Sequence, residues 1–186
     1  YKNINLIYDD NLNIDWDTQF KNYKNPIVVS NLPYSISSPT ISKFLECNNT
    51  QIMVCMLQKE MVERLLAKPR THEYNAFSVF IQSVADVKHL MNVSKNCFYP
   101  APEVDSIVIQ IQKKDNNIDM KLYDRFLKQC FNSKRKTLVN NLSSSNLKKE
   151  EVLNFLNKQL LSSLARAEEL TPETFLKLFT LWKKVI

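Results

Sequence analysis

Apolar positions in the first part of the chain alternate between short continuous runs and helically spaced stripes. Continuous, largely apolar runs predict buried strands at residues 27–31, 51–57, 87–93 and 106–112. Helical spacing predicts helices at residues 40–47, 59–67 and 75–85. The last two strands are joined by a long loop. The pattern therefore predicts an α/β sheet that ends in an antiparallel hairpin.

The pattern changes after a polar break at residues 113–117, which is typical of a linker. No segment from residue 120 onward has the spacing of a strand. Amphipathic stretches predict helices at residues 122–131, 137–142, 152–161 and 172–182. The sequence thus predicts two domains, an α/β domain over residues 1–114 and a small all-helical domain over residues 118–186.

Charge is distributed unevenly between these parts. Residues 1–112 hold 10 basic and 11 acidic residues, whereas residues 113–186 hold 15 and 8. The net charge of +6 therefore comes from the helical part. Such an excess favours contact with nucleic-acid phosphates, although a solvated Lys-rich helix surface is the alternative.

Composition narrows the class of protein. The chain contains no stretch long enough to cross a membrane and no signal-peptide pattern, so a cytoplasmic protein is expected, with an organelle as the open alternative. Its four scattered cysteines are expected to be reduced and buried, and its two histidines offer too few ligands for a metal site. The chain has no glycine, so Asn116-Asn117 and Asn140-Asn141 are candidates for left-handed turn positions.

The segment Asn31-Leu32-Pro33-Tyr34 follows the first predicted strand and suits methylation of an exocyclic amine. The lone pair of such an amine is delocalised into its base, and two acceptors placed against its hydrogens can direct that pair toward a methyl donor. The Asn31 side-chain oxygen and the Leu32 carbonyl are candidate acceptors, with Pro33 fixing the backbone. Tyr34 offers a flat face for a flipped-out base. An ordinary strand-end turn is the alternative.

A second aromatic and proline segment spans residues 98–106, immediately before the last predicted strand. Two prolines separated by one residue stiffen it and present Phe98 at a fixed place. Phe98 is therefore a candidate for the second face of a base sandwich with Tyr34. The alternative is a core aromatic before an edge strand.

With these motifs the chain resembles the small-subunit ribosomal RNA adenine N6-dimethyltransferase family (KsgA-like proteins). The resemblance extends over nearly the whole chain and lies in residues 29–39, 56–60, 98–106, 131–138 and 166–170. It implies a Rossmann-like methyltransferase sheet, S-adenosyl-L-methionine as cofactor, and transfer of methyl groups to N6 of two adjacent adenines. It also implies small-subunit rRNA in an immature ribosomal subunit as partner, a monomer, and no membrane.

The resemblance assigns part of a cofactor site. It matches residues 3–8 to a strand and Asp10 to an acceptor for the cofactor's adenine amine, beside Asn31. The family's Gly-rich turn has no counterpart in this glycine-free sequence. The chain is therefore expected to be N-terminally incomplete and, alone, inactive. Two alternatives stay open: a non-catalytic rRNA-binding or ribosome-assembly module, and a resistance-type adenine methylase of large-subunit rRNA.

Candidate RNA contacts lie in basic segments. Lys134, Arg135 and Lys136 are consecutive and cannot all face a core, so phosphate contact is expected. Lys59 either contacts RNA phosphate or pairs with a carboxylate on its own helix. Phe131, just before the basic triplet, is expected in the core rather than as a stacking group.

Overall fold

The structure, a computed structural model, describes residues 3–144 and 147–185, and contains a four-stranded sheet. The strands follow the spatial order β1-β2-β4-β3. Their bounds are β1 (Ile27–Asn31), β2 (Ile52–Gln58), β3 (Ala85–Val93) and β4 (Ser106–Lys113). All four predicted strands are therefore present, each within two residues of its predicted bounds.

Eight α-helices accompany the sheet in the described part of the chain. They are α1 (Trp16–Phe20), α2 (Ser37–Glu46), α3 (Lys59–Leu65), α4 (Ala76–Val84), α5 (Met120–Cys130), α6 (Leu138–Asn141), α7 (Lys149–Lys158) and α8 (Pro172–Trp182). Side-chain caps fix the first residue of several helices. Asn75 forms a reciprocal capping box with Ser78, and Asp119 and Thr171 accept from backbone amides of α5 and α8.

The sheet register sets which residues share an edge. β1 runs parallel to β2, with Asn31 opposite Met56, and β2 runs antiparallel to β4, with Gln58 opposite Ser106. The carboxyl ends of β1 and β2 therefore meet the start of β4 at one edge of the sheet. In open α/β sheets, ligands bind at the carboxyl ends of the strands.

The chain divides into two compact units. The sheet unit comprises residues 1–58 and 88–113, and the helical unit comprises residues 59–87 and 114–186. Compactness thus assigns α3 and α4 to the helical unit. Compact units and functional domains are defined by different criteria. The predicted boundary between functional domains at residues 114–118 therefore stays a prediction.

An aromatic cluster forms the core of the helical unit, where α4 packs against α5 and α8. Phe126 of α5 is fully buried, and its ring centroid lies 5.4 Å from that of Trp182 and 5.5 Å from that of Phe179. Tyr123 packs 4.9 Å from Phe179, and its hydroxyl is 2.8 Å from the Ser83 hydroxyl. The buried phenol oxygen is thereby satisfied.

The sheet unit buries apolar side chains of β2, β4 and helix α2. Phe44 of α2, Met53 and Cys55 of β2, and Ile109 of β4 are all buried. The alternation of buried and half-buried residues along β2 shows that one face of the strand is more deeply covered than the other.

Several expectations are corrected by the structure. Residues 3–8, predicted as a strand, form none, because they lie exposed and pair with no strand of the described sheet. The left-handed positions in the described chain are Asn25, Arg70 and Leu160, not the Asn116-Asn117 or Asn140-Asn141 pairs. Cys97 is exposed, whereas the other three cysteines are buried as predicted. Helix α1, capped by Asp15, was not predicted.

The described residues lack two further kinds of feature. None of their helices is both long and apolar enough to cross a membrane. Nowhere in the same residues do three or more His, Cys, Asp or Glu side chains gather as a metal site would need.

Candidate functional site

The turn after β1 is held by local hydrogen bonds. Pro33 has φ −56° and ψ 136°, so the chain stays extended before a short 3₁₀ helix at Tyr34–Ile36. The Pro33 carbonyl accepts from the Ile36 amide at 3.1 Å and from the Ser37 hydroxyl at 3.2 Å. These bonds fix the turn at the carboxyl end of β1, as the sequence motif predicted.

Two side chains of this turn face outward while one anchors it. Leu32 is buried, whereas Asn31 is exposed and Tyr34 is 45% exposed. Within the described residues, the Asn31 carboxamide has no hydrogen-bond partner and the Tyr34 ring has no ring contact. An accessible amide oxygen beside an accessible aromatic face is what an incoming base with an exocyclic amine requires.

The acidic loop before α1 is a structured turn. One Asp10 carboxylate oxygen accepts from the Leu12 amide at 2.8 Å, and the Asp10 carbonyl accepts from Asn13 at 2.8 Å. The loop is tied to α2 because Asn11 donates to the Thr40 hydroxyl at 3.2 Å and Lys43 donates to the Leu12 carbonyl at 2.6 Å. The Asp10 carboxylate thus stabilises its own turn with one oxygen and has the other available.

A cavity of about 340 Å³ lies between this loop and β1. Its lining combines apolar walls with a few polar groups, as small-molecule sites do. The lining residues are Ile7, Asn11, Ile14, Trp16, Gln19, Phe20, Ile27, Val28, Val29, Ser30 and Thr40. Asp10 and Asn31 do not line it, but their neighbours Asn11 and Ser30 do.

Asn11, Ser30 and Thr40 are candidate site residues that sequence reasoning did not select. A signal existed for the first two, since each is a polar residue adjacent to a selected one. Thr40 carried no comparable signal, because its place beside the loop depends on how α2 packs.

The proline segment reaches the same sheet edge from the other side. Phe98 is half-buried, and the Asp105 carboxylate near the end of the segment accepts from the backbone amide of Lys95, which precedes the segment, at 2.9 Å. Ser106 then begins β4 opposite Gln58. The structure brings the Asn31 turn and the end of the proline segment to one edge, but the described residues show no ring contact between Tyr34 and Phe98. Their base sandwich stays a prediction.

Lys59 and the basic triplet belong to the helical unit. Lys59 lies 3.9 Å from Glu63 on its own helix, which is the ion-pair alternative, and both side chains are more than half exposed. Lys134, Arg135 and Lys136 are all exposed. Their RNA contacts stay predictions.

The turn that carries the triplet is pinned from below. The Asn141 amide nitrogen donates to the Cys130 carbonyl at 2.7 Å and to the Ser133 carbonyl at 3.0 Å. Phe131 is half-buried and packs against Tyr74 and Phe175, with ring centroids 6.3 Å and 5.5 Å away, so its ring adds to the aromatic packing of the unit. A buried side chain thus holds the start of the basic triplet in a defined position.

The acidic stretch at residues 166–170 joins parts of the helical unit. The Glu168 carbonyl accepts from the Arg70 amide at 2.8 Å, and the Leu170 carbonyl accepts from the Tyr74 hydroxyl at 2.8 Å. The Arg70 guanidinium also lies 3.5 Å from the Glu169 carboxylate. This motif therefore stabilises the fold of the unit.

Comparisons with known proteins agree on one family. The profile of the family described as "Ribosomal RNA adenine dimethylase" matches residues 1–184. A ribosomal RNA small subunit methyltransferase A from Aster yellows witches'-broom phytoplasma is 39% identical over 189 residues. That alignment covers 98% of this chain and 70% of the relative.

Solved structures give the same result for the fold. A dimethyladenosine transferase from Plasmodium falciparum superposes with a TM-score of 0.74 at 27% identity, covering 85% of this chain and 66% of that one. The 23S rRNA methyltransferase ErmE superposes with a TM-score of 0.64 at 20% identity, covering 92% of this chain and 70% of that one. The second likeness concerns the fold alone. The predicted Rossmann-like α/β fold class is thereby confirmed.

Proposed function

The chain belongs to the ribosomal RNA adenine dimethylase family, and on that premise we propose that it transfers methyl groups to N6 of two adjacent adenines in small-subunit rRNA during maturation of the small ribosomal subunit. The observation that carries the proposal is the exposed Asn31–Tyr34 turn at the carboxyl end of β1. The family and the enzyme class predicted from the sequence are confirmed by the matches.

Catalysis at this turn rests on preparing a weak nucleophile. The Asn31 carboxamide oxygen and the Leu32 carbonyl accept the two hydrogens of the adenine amine, which draws its lone pair out of conjugation. Tyr34 stacks on the flipped base, with Phe98 on its other face. No general base is needed, because the methylated ammonium is far more acidic than the amine. The rate enhancement comes from positioning and preorganised dipoles.

S-adenosyl-L-methionine is the proposed methyl donor, and the chemistry of the loop and cavity fits it. The unused Asp10 carboxylate oxygen suits an adenine amine, and Ile14, Trp16 and Ile27 offer apolar walls for a flat ring. When bound, the cofactor supplies an electrophilic sulfonium methyl. The chain's own part is to hold the cofactor beside Asn31 and to exclude water from the amine.

The helical unit is proposed to bind the substrate RNA. Lys134, Arg135 and Lys136 are exposed at the end of a pinned turn, so their charges stay accessible to phosphates. The chain is proposed to act as a monomer on immature small subunits in the cytoplasm. A large-subunit target is the competing substrate.

A methyl-transfer assay tests this function. Protein expressed from its complete reading frame is mixed with labelled S-adenosyl-L-methionine and either immature small subunits or large-subunit rRNA. We expect labelled N6,N6-dimethyladenosine in the small subunits, and a loss of roughly 10²–10³ in rate for Asn31→Ala, typical of removing one preorganised contact.

Asn117→Ala is the matched control, because Asn117 is an exposed asparagine in the linker of the helical unit. It should methylate at the wild-type rate. Near-normal turnover in Asn31→Ala would remove the proposed role of the turn, and label found only in large-subunit rRNA would replace the proposed substrate.

A further inference from the structure

Helix α1 forms one wall of the cavity beside β1. Trp16 and Phe20 are four residues apart, so they lie on the same face of this helix, with ring centroids 5.9 Å from each other. Both side chains line the cavity, and residues 27–30 of β1 supply another part of the lining. The width of the cavity therefore depends on where α1 lies relative to β1.

The helix is too short to hold its own place. It has five residues, and isolated helices of that length are unstable in water. The Asp15 carboxylate caps its first turn from within, which stabilises the helix but does not attach it to the sheet. Hydrogen bonds from Thr40 and Lys43 of α2 involve residues 11–12, before the helix begins. An attachment on α1 itself has to come from another residue.

Asp17 supplies that attachment. Its half-buried carboxylate accepts through one oxygen from the Asn48 amide at 2.7 Å, from the Asn49 amide at 3.3 Å and from the Asn49 side-chain nitrogen at 3.1 Å. The Cys47 thiol lies 3.4 Å from the same oxygen and donates to it. Charge-assisted hydrogen bonds of this kind are stronger than neutral ones. One side chain thus joins α1 to the turn at residues 47–49.

This turn is fixed to the sheet in its own right. It leads into β2, which pairs in parallel with β1. The buried Thr50 hydroxyl donates to the Pro26 carbonyl at 2.8 Å, immediately before β1 begins. The path from α1 through Asp17 and Thr50 therefore ends on the strand that carries Asn31 at its other end. The two walls of the cavity are joined through a single carboxylate.

We propose that Asp17 is a positioning residue for the methyl donor: it holds Trp16 and Phe20 at the spacing from β1 that the cofactor requires, without touching the cofactor. The proposal rests on the proposed use of S-adenosyl-L-methionine at this cavity. Without the attachment, only a fraction of the molecules has α1 in place, and the apparent dissociation constant rises by the inverse of that fraction. RNA affinity should not change, because the proposed RNA contacts lie in the helical unit.

Calorimetric titration with S-adenosyl-L-homocysteine tests the proposal, with protein expressed from its complete reading frame. Asp17→Ala should weaken binding about tenfold, which corresponds to about one molecule in ten with the wall in place. The KM for S-adenosyl-L-methionine should rise by the same factor, while kcat at saturating donor and the KM for RNA stay at their wild-type values. Asp115→Ala removes an exposed carboxylate from the linker, and this matched control should bind as wild type does.

Two further variants separate positioning from a merely structural role. Asp17→Asn keeps an acceptor oxygen toward the turn, so it should restore affinity to within about threefold of wild type. Asn49→Ala removes an exposed donor from the other side of the attachment and should weaken binding by about two- to threefold, even if Asp17→Ala fails to fold.

Three results would overturn the proposal. The first is wild-type affinity in both Asp17→Ala and Asn49→Ala, whatever their unfolding midpoints in urea. The second is an equal loss of affinity in Asp17→Asn and Asp17→Ala, since the acceptor oxygen would then be irrelevant. The third is a lower kcat at unchanged KM for the donor. If wild-type protein itself does not bind S-adenosyl-L-homocysteine, the proposed function falls together with this proposal.

Discussion

The two compact units differ in how far their large apolar side chains are buried. In the helical unit, large aromatic side chains such as Phe126 and Phe175 are fully buried against each other. In the sheet unit, β1 exposes Ile27 at 59% and Val29 at 78%, and the segment before it exposes Leu6 and Tyr8. A parallel strand normally has both faces covered, so β1 is the atypical element.

This contrast separates residues that hold the fold from residues available for contact. The helical unit contains its own stabilising aromatic core, and its exposed side chains include the three cations at residues 134–136. The sheet unit has accessible apolar and aromatic groups on β1 and in the turn that follows it. The proposed chemistry lies where the side chains contribute least to stability.

The largest expected effect sets a core residue against an exposed one. Phe126→Ala removes a buried ring that contacts Tyr123, Phe179 and Trp182, and should lower the free energy of unfolding by about 3–5 kcal/mol. Val29→Ala removes methyl groups that are already in solvent and should change it by less than about 0.5 kcal/mol. Urea unfolding of both variants measures the difference, and similar costs would contradict the comparison.

A smaller effect distinguishes the units by pH. Lys113 of the sheet unit donates to the Cys47 carbonyl and lies 4.6 Å from the centre of the Phe44 ring, and its burial lowers its pKa to about 8. Burial instead raises the pKa of the Tyr74 and Tyr123 phenols in the helical unit. At alkaline pH, the lowered lysine pKa therefore increases the free energy of unfolding, whereas the raised tyrosine pKa values decrease it.

The Lys113 ammonium faces Asp17 and the Cys47 thiol, and above pH 8 the folded protein releases its proton while the unfolded chain keeps it up to about 10.5. The unfolded state then binds more protons, so stability rises with pH in this window. Wild type should gain on the order of 1 kcal/mol relative to Lys113→Met between pH 8 and 10.5. Both proteins contain the tyrosines, so the difference isolates Lys113. A difference that does not vary with pH would contradict the assignment.

The smallest effect concerns a helix end in the helical unit. Leu160 follows α7 with φ 55°, and the Leu161 amide donates to the Leu156 carbonyl at 2.9 Å. This is a Schellman motif, in which glycine usually takes the position of Leu160. Leu160→Gly should raise the free energy of unfolding by roughly 0.5–1 kcal/mol. Leu164→Gly, at an exposed leucine without positive φ, is the control and should lower it. Thermal unfolding that ranks the two in reverse would refute the strain at Leu160.

The local hydrophobic pattern predicted the sheet well. It failed where the conformation of a segment depends on contacts with another part of the chain. The strand at 52–58 was found because its apolar run is continuous, which sheet burial requires. Residues 3–8 have the alternation of a strand but lack a pairing partner in the described sheet, and the pattern cannot report a partner. Likewise, Leu160 takes a left-handed conformation because the end of α7 imposes it, although asparagine is intrinsically better suited.

The candidate site shows the same division. The place of Asn31 at the sheet edge followed from a parallel strand ending before a proline turn, which sequence reveals. Thr40 was not selected, because its hydrogen bond to Asn11 and its place in the cavity wall depend on how α2 packs. The roles of Asp10, Phe98, Lys59 and the triplet stay predictions.

The central claim is that the Asn31 turn prepares the amine while the basic triplet binds the RNA. One paired measurement tests it: single-turnover methyl transfer and RNA affinity, compared between Asn31→Ala and the Lys134, Arg135 and Lys136 triple alanine variant. The account predicts that Asn31→Ala loses roughly 10²–10³ in rate at unchanged RNA affinity. The triple variant should bind RNA more weakly but transfer methyl groups at the wild-type rate once RNA is saturating. Equal losses of rate and affinity in both variants would contradict this division of labour.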